Sequence, residues 1–319
     1  MIGIAAAAVL ASGVHAQSQT GNDYVPPRTP DGQPDLQGIW SNAVITPLER
    51  PTELADKAFL SEQEVAEYEQ RRLAETNMDD RNVDARTDVG RAYNHFWWDR
   101  GTNVVATRRT SLIIDPPDGR IPPLTAEGEK RAQARAERRR LNRSDGPEDR
   151  PLMERCIHIG SAGPPMLPSA YNNNFHLAQT ADHVLIVNEM IHDTRVIPLD
   201  GRPQLPGTVR QWLGSSRGHW DGDTLVIETA NFGNQTNFRG ASENMHLTER
   251  FTRIDENILL YEFTVDDPAA FTRPWTVQIP SVRIDGLMYE YACHEGNEGM
   301  VGILAGARAE EQAAAEAAR

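Results

Sequence analysis

The sequence predicts a mainly β protein: an antiparallel meander that closes into a lipocalin-like barrel. Three observations carry that expectation. Beyond Tyr171 the chain of 319 residues alternates strand-like runs with tight turns. The links between runs are so short that neighbouring strands can only be antiparallel. The runs number roughly ten, enough for closure to remove the exposed edges of an open sheet. A β-sandwich is the second architecture compatible with the pattern. A β-propeller is third, because no internal repeat of about 40 residues is present.

The elements follow in chain order. The opening residues, MIGIAAAAVLASGVHAQSQ, form a short apolar run ending in Val14, His15 and Ala16, a small-residue pattern suited to signal peptidase. Residues 1–16 are therefore expected to be a signal peptide, although no basic stretch precedes the apolar run; an uncleaved anchor is the alternative. Residues 17–60 are rich in Pro, Gly, Asp and Asn (DYVPPRTPDGQPDLQGIW) and read as an extended arm on the body, with Trp40 as its first large anchor. Ser61 followed three residues later by Glu64 is a capping box that opens a helix over 61–76. NHFWWDRG and RRTSLIIDPP read as strands. A second helix, over 125–142, is almost wholly charged and lacks an apolar stripe, so it is expected as a solvated excursion.

FHLAQT, HVLIVNEMIH and TRVIPLD are the next strands. In RGHWDGDTLVIETANF, Asp221 and Gly222 sit between two strand-like runs, a strong hairpin signal. LTERFTRIDENILLYEFTV turns at 254–257, and SVRIDGLMYEYAC turns at Asp285 and Gly286. Residues 61–308 thus form one β-rich domain, and the alanine-rich residues 309–319 a frayed terminal helix.

The net charge of −14 argues against a nucleic-acid partner or an anionic membrane surface, both of which need a basic footprint. Of the 32 basic residues only Lys57 and Lys130 are lysines, which leaves few candidates for Schiff-base chemistry. No other segment approaches the roughly 20 apolar residues that span a bilayer. The expected partner is a small molecule, the expected location periplasmic or secreted, with no membrane insertion once the leader is removed. The sequence does not specify an oligomeric state. In an oxidising compartment Cys156 and Cys293, the two cysteines, are expected to pair. A bridge closing so long a loop has a chain-entropy value of about 4 to 5 kcal/mol as an upper figure. Pairing weakens the case for Cys293 as a nucleophile.

Read as one strand, residues 183–195 put Val184, Ile186, Asn188, Met190 and His192 on one face and Leu185, Val187, Glu189 and Ile191 on the other. Both faces are largely apolar, so Glu189 and His192 are expensive unless paired. They belong to a structural network, to acid/base chemistry or to a metal. His246, Thr248 and Arg250 share a face that either lines a wet cavity or looks outward. Tyr171 and the asparagines 172–174 offer amide and hydroxyl groups suited to a hydroxylated or carbonyl ligand, though Asn favours turns in any case. His294 and Glu295 follow Cys293 where a strand runs into a loop, a place where functional groups collect. Neighbours on a strand point opposite ways, so they act together only if the chain turns at Gly296.

The leading expectation is an exported small-molecule enzyme, a lyase or hydrolase without an organic cofactor, working by side-chain acid/base chemistry in a barrel pocket. Its catalytic groups would be Glu189, His192 and His294, with Tyr171, Asn173, Arg195 and Arg250 orienting the substrate. A lipocalin-type binding protein that converts nothing is the alternative. A metal enzyme built from the dispersed His176, His192, His246 and His294 is third, with no local ligand motif behind it.

PDLQGIW with TPLER, RTSLIIDPPDGRIPPLT, EMIHDTRVIPLDGRP, DGDTLVIET and YEYACHEG resemble a widespread family of exported bacterial proteins of unassigned function. The resemblance runs from roughly Pro34 to Arg308. It implies export and a single β-rich unit. It supplies no reaction, and no catalytic residue is carried over from it.

Overall fold

The computed structural model describes residues 24–90, 95–236 and 238–319, so the leader expected over 1–16 lies outside the described residues. Ten strands form: β1 (Gly38–Ser41), β2 (Ile113–Asp115), β3 (Asn174–Gln179), β4 (His183–Asn188), β5 (Thr194–Pro198), β6 (Ser215–Asp221), β7 (Thr224–Ala230), β8 (His246–Asp255), β9 (Ile258–Asp266) and β10 (Trp275–Arg283). Nine of them make one antiparallel sheet in the order β5-β4-β3-β1-β10-β9-β8-β7-β6, and β2 pairs with β10. The sheet curls until its two ends face each other, giving the nearly closed barrel that the meander predicts.

Alternation of buried and exposed side chains gives each strand an inner and an outer face. On β8 the buried set is Leu247, Glu249, Phe251 and Arg253, while His246, Thr248, Arg250 and Thr252 are less buried, so this face of His, Thr and Arg looks outward. β9 and β10 alternate the same way, burying Leu259, Tyr261, Phe263 and Val265, then Trp275, Val277, Ile279 and Ser281. The Asp221 and Gly222 hairpin forms as expected, with Gly222 at φ 59° and Asp221 paired with Thr224. The interior is full. Trp40, Phe175, Phe251, Tyr261, Phe263 and Trp275 occupy it at 1 % exposure or less, Phe251 stacking on Tyr261 with ring centroids 4.7 Å apart. Each such ring contributes about 1.5–3 kcal/mol by its burial. These side chains form part of the core of the barrel.

Several expected elements differ. Part of the arm is a sheet member: β1 lies between β3 and β10, anchored by Trp40, whose indole donates to Leu36 O at 3.0 Å, with Arg253 over its ring. Where a strand was expected in NHFWWDRG, the described residues form none: His95–Trp97 is a single 3-10 turn, and 98–101 has no regular structure. β4 ends at Asn188, four residues short of His192, because Ile191 and His192 take left-handed backbone (φ 64° and 48°) that turns the chain over Met190–His192. The face pattern proposed for 189–192 is thereby lost. No strand follows Gly286, and the last helix begins well before 309.

The helices are peripheral. α1 (Glu62–Glu75) starts on the expected capping box, Ser61 accepting from Glu64 N while Glu64 accepts from Ser61 N, and Tyr68 anchors it. α2 (Ala85–Gly90) is short. α3 (Ala126–Leu141) is capped by Thr125 and carries the charge expected of it. α4 (Glu298–Ala317) has no buried residue. Cys156 and Cys293 are bonded, joining the loop before β3 to the segment before α4. That bond is compatible with an oxidising compartment. Among the described residues, no helix is long and apolar enough to cross a membrane.

Candidate functional site

The seven residues expected to act together do not converge on one place. Arg195 is inside the barrel, where Nη1 and Nη2 donate to Glu249 Oε1 and Oε2 at 3.1 and 2.5 Å. Tyr261 Oη donates to Glu249 Oε1 at 2.8 Å and accepts from Met166 N at 3.0 Å. Nη2 also reaches Ser216 Oγ at 3.2 Å and Thr229 Oγ1 at 3.4 Å. Burial works against the Arg195 charge, but the Glu249 carboxylate outweighs it and holds the guanidinium above its ordinary pKa; burial beside the same carboxylate pushes the Tyr261 phenol well up. Arg195 thus ties β5 to β8 and β6 across the open seam. Arg250 is on the outer face, paired with Asp221 at 3.0 Å.

Glu189, His192 and Tyr171 lie together outside the barrel. Glu189 is buried and accepts from Asn174 Nδ2 at 2.8 Å and Asn174 N at 3.4 Å. Burial pushes its pKa up, against the pull of these hydrogen bonds and of the Asn172 side chain. His192 pairs with Glu290 at 3.3 Å and approaches Tyr291 O at 3.4 Å, so its carboxylate partner is not Glu189. Tyr171 lies 6.3 Å from the Tyr291 ring and 5.8 Å from Trp98. His294 is exposed beyond the disulfide, in a turn whose carbonyl accepts from Asn297 N. The three expected catalytic groups do not form one hydrogen-bonded constellation. The four dispersed histidines also stay apart: among the described residues no three His, Cys, Asp or Glu side chains could share a metal ion.

His158, which no motif marks, sits in the same region with Nδ1 shielded and without a protein partner among the described residues. Burial pushes its pKa from 6.5 down to about 4. With the folded value below the unfolded one, stability is full above pH 6.5 and falls as the pH drops towards 4. The loss is about 3 kcal/mol as an upper figure. Urea titrations from pH 7 to 4 are expected to show this slope in the wild type and a flatter one in His158→Gln; equal slopes would contradict it.

A cavity of about 290 Å³ lies on the flank of the barrel, lined by none of the seven expected residues. Its floor is core, Leu112 and Leu167; Val44, Thr46 and Leu48 form one wall, Ser169 and Ala170 another, and Arg72, Arg100 and Arg239 the rim. Arg72 and Thr76 come from the last turn of α1 and its C-cap. Arg100 is set by the glycine that follows it: Gly101 has φ 76°, and a Cβ there would lie 2.8 Å from Ala43 O, so only glycine lets this loop close on the wall. The opposite wall is held by Asn173, which is buried. It accepts from Ser169 N at 2.7 Å and donates to Asp99 O at 2.5 Å, while Asp99 N donates to Ala170 O at 2.9 Å. Asn173 therefore positions the residues on both sides of the cavity and does not itself line it.

Arg100 stacks over Trp98, 4.1 Å from the ring centroid, and Trp98 in turn meets Tyr171. Burial lowers the pKa of Arg100, and the neighbouring charge of Arg72 adds to the effect. A second cavity of about 260 Å³ lies along the seam between β5 and β6, but its guanidiniums are engaged: Arg195 by Glu249, Arg217 by Pro203 O and Ser216 O. Sequence reading missed the flank cavity because its arginines come from segments far apart in the chain, none within a motif. The aromatic pair before Arg100 was the one local hint. Comparison with protein-family models, curated proteins and solved structures gave no match.

Proposed function

We propose that the protein binds a small molecule in the flank cavity, as an exported binding protein on a barrel scaffold. One observation carries the reading. The cavity, about 290 Å³, is near the lower end of the range of about 300–1,000 Å³ typical of small-molecule sites, and it combines an apolar floor with a few converging polar groups. Its ionisable side chains, among the described residues, are guanidiniums. These keep their protons at physiological pH, so the cavity is equipped to hold a ligand and not to move a proton. Export is supported by the disulfide and by the leader-like opening residues. The resemblance to exported bacterial proteins agrees with that location.

The test is a thermal-shift screen of the full chain against small metabolites, with Ala170→Trp, which fills the cavity, as the comparison. The expected result is a ligand that raises the melting temperature of the wild type with saturation and leaves Ala170→Trp unmoved. A ligand that shifts both equally would remove the cavity from the account. Chemical conversion of the ligand, abolished by Glu189→Gln or His192→Ala, would replace binding with the acid/base lyase or hydrolase reading.

A further inference from the structure

We propose that the ligand carries an oxyanion, a carboxylate or a phosphate, held between Arg72, Arg100 and Arg239. This names the ligand class of the same cavity and rests on the binding reading above. A chain of net charge −14 has gathered three guanidiniums at one small cavity. Elsewhere its buried arginines anchor at least two guanidinium nitrogens on the protein. Arg50 gives Nε to Thr110 Oγ1 and Nη2 to Pro117 O, at 3.1 and 3.0 Å. Arg109 gives Nε to Ser111 O and Nη1 to Gln278 Oε1, at 3.1 and 2.8 Å. Arg195 and Arg253 leave Nε unpartnered but anchor both of their Nη groups.

Arg100 differs from all four. Its Nε is shielded from solvent with no acceptor among the described residues, and its guanidinium lies over the face of the Trp98 ring. A stacked guanidinium keeps its N–H edge available, the edge that grips a carboxylate or phosphate with two parallel bonds. Arg72 uses Nη1 on Glu75 at 2.9 Å, and its Nε too is shielded without an acceptor among the described residues. Unpaired buried donors are costly, and like charges side by side add to the cost. An oxyanion between the arginines relieves both. Arg239, exposed on the rim and held at φ 54°, supplies a third cation at the open side. The floor of Leu112 and Leu167 suits an apolar portion of the same ligand.

The experiment compares melting temperatures of the purified full chain in inorganic phosphate, succinate, benzoate and neutral benzamide, at ionic strength matched with chloride. At least one anion is expected to raise the melting temperature with saturation, and benzamide to do nothing. The responding anion distinguishes phosphate from carboxylate chemistry. Arg100→Met is expected to weaken the binding at least about tenfold, and to melt no lower than the wild type in chloride, because a crowded charge has gone. Benzamide acting as well as benzoate, in wild type and Arg100→Met alike, would overturn the oxyanion and leave the binding reading standing. An anion shift equal in both proteins would mark an unspecific salt effect and overturn it as well. No shift from any probe, charged or neutral, would sink both.

Discussion

Arg195→Ala is expected to destabilise the fold by about 3–5 kcal/mol. The substitution leaves Glu249, whose side chain is 0 % exposed, as a buried carboxylate with only the Tyr261 hydroxyl for a partner. Position makes the effect larger than a local contact. β5 and β6 are the ends of the sheet and share no ladder, so Arg195, reaching from β5 to Ser216 on β6 and Glu249 on β8, is a polar clasp across the seam. Glu249→Ala should cost a similar amount for the opposite charge. Replacing both, as Arg195→Met with Glu249→Leu, removes both desolvated charges and should cost less than either single change. Urea unfolding of the four proteins measures the cycle. Single variants that lose under about 1 kcal/mol, the value of an exposed pair, would contradict the clasp.

Loss of the disulfide comes next. Cys156→Ser with Cys293→Ser is expected to cost about 2–5 kcal/mol, the bridge closing a loop with a sequence separation of 137. The cost should be local in its consequences. Beyond β10 the chain is held to the body by scattered polar contacts: Ile284 N to Ile39 O at 3.0 Å, Tyr291 N to Glu189 O at 3.3 Å, Glu290 to His192 at 3.3 Å, Asn297 Nδ2 to Glu154 O at 2.8 Å, and Arg308 to Asp145 O and Ser144 O at 3.0 and 2.9 Å. α4 buries no residue. Without the bridge, limited proteolysis should cut between Gly286 and α4 before it cuts the barrel. Barrel and tail cleaved at the same rate would show that the bridge stabilises the whole molecule evenly.

These two expectations rest on features the sequence displayed unequally. The barrel was legible because strand alternation and turn chemistry are local: Asp221 with Gly222 can be read within a few residues, whereas which face of β8 is buried came only from the fold. The pairing of Cys156 with Cys293 needed only the compartment argument. The end of β4 was not legible. Alternation runs on smoothly through Glu189 and Ile191, and only the left-handed backbone at Ile191 and His192, unusual for a β-branched residue, breaks it. The arm was half legible: Trp40 announced an anchor, but pairing of β1 with β3 and β10 joins residues far apart in sequence.

The site was least legible for the same reason. The partner that Arg195 finds, Glu249, lies 54 residues away. Asn173 ties Asp99 to Ser169 behind the cavity wall, across a long sequence separation. Arg72, Arg100 and Arg239 belong to no local motif. Their meaning appears only when the fold shows which guanidiniums the protein satisfies and which it leaves open.

If the flank cavity is the ligand site, anomalous diffraction from crystals soaked in 3-iodobenzoate will show an iodine peak above Leu112 and Leu167, with the carboxylate bonded to Arg100 and to Arg72 or Arg239. An empty cavity, with iodine in the seam beside Arg217 or on the outer face, would contradict it.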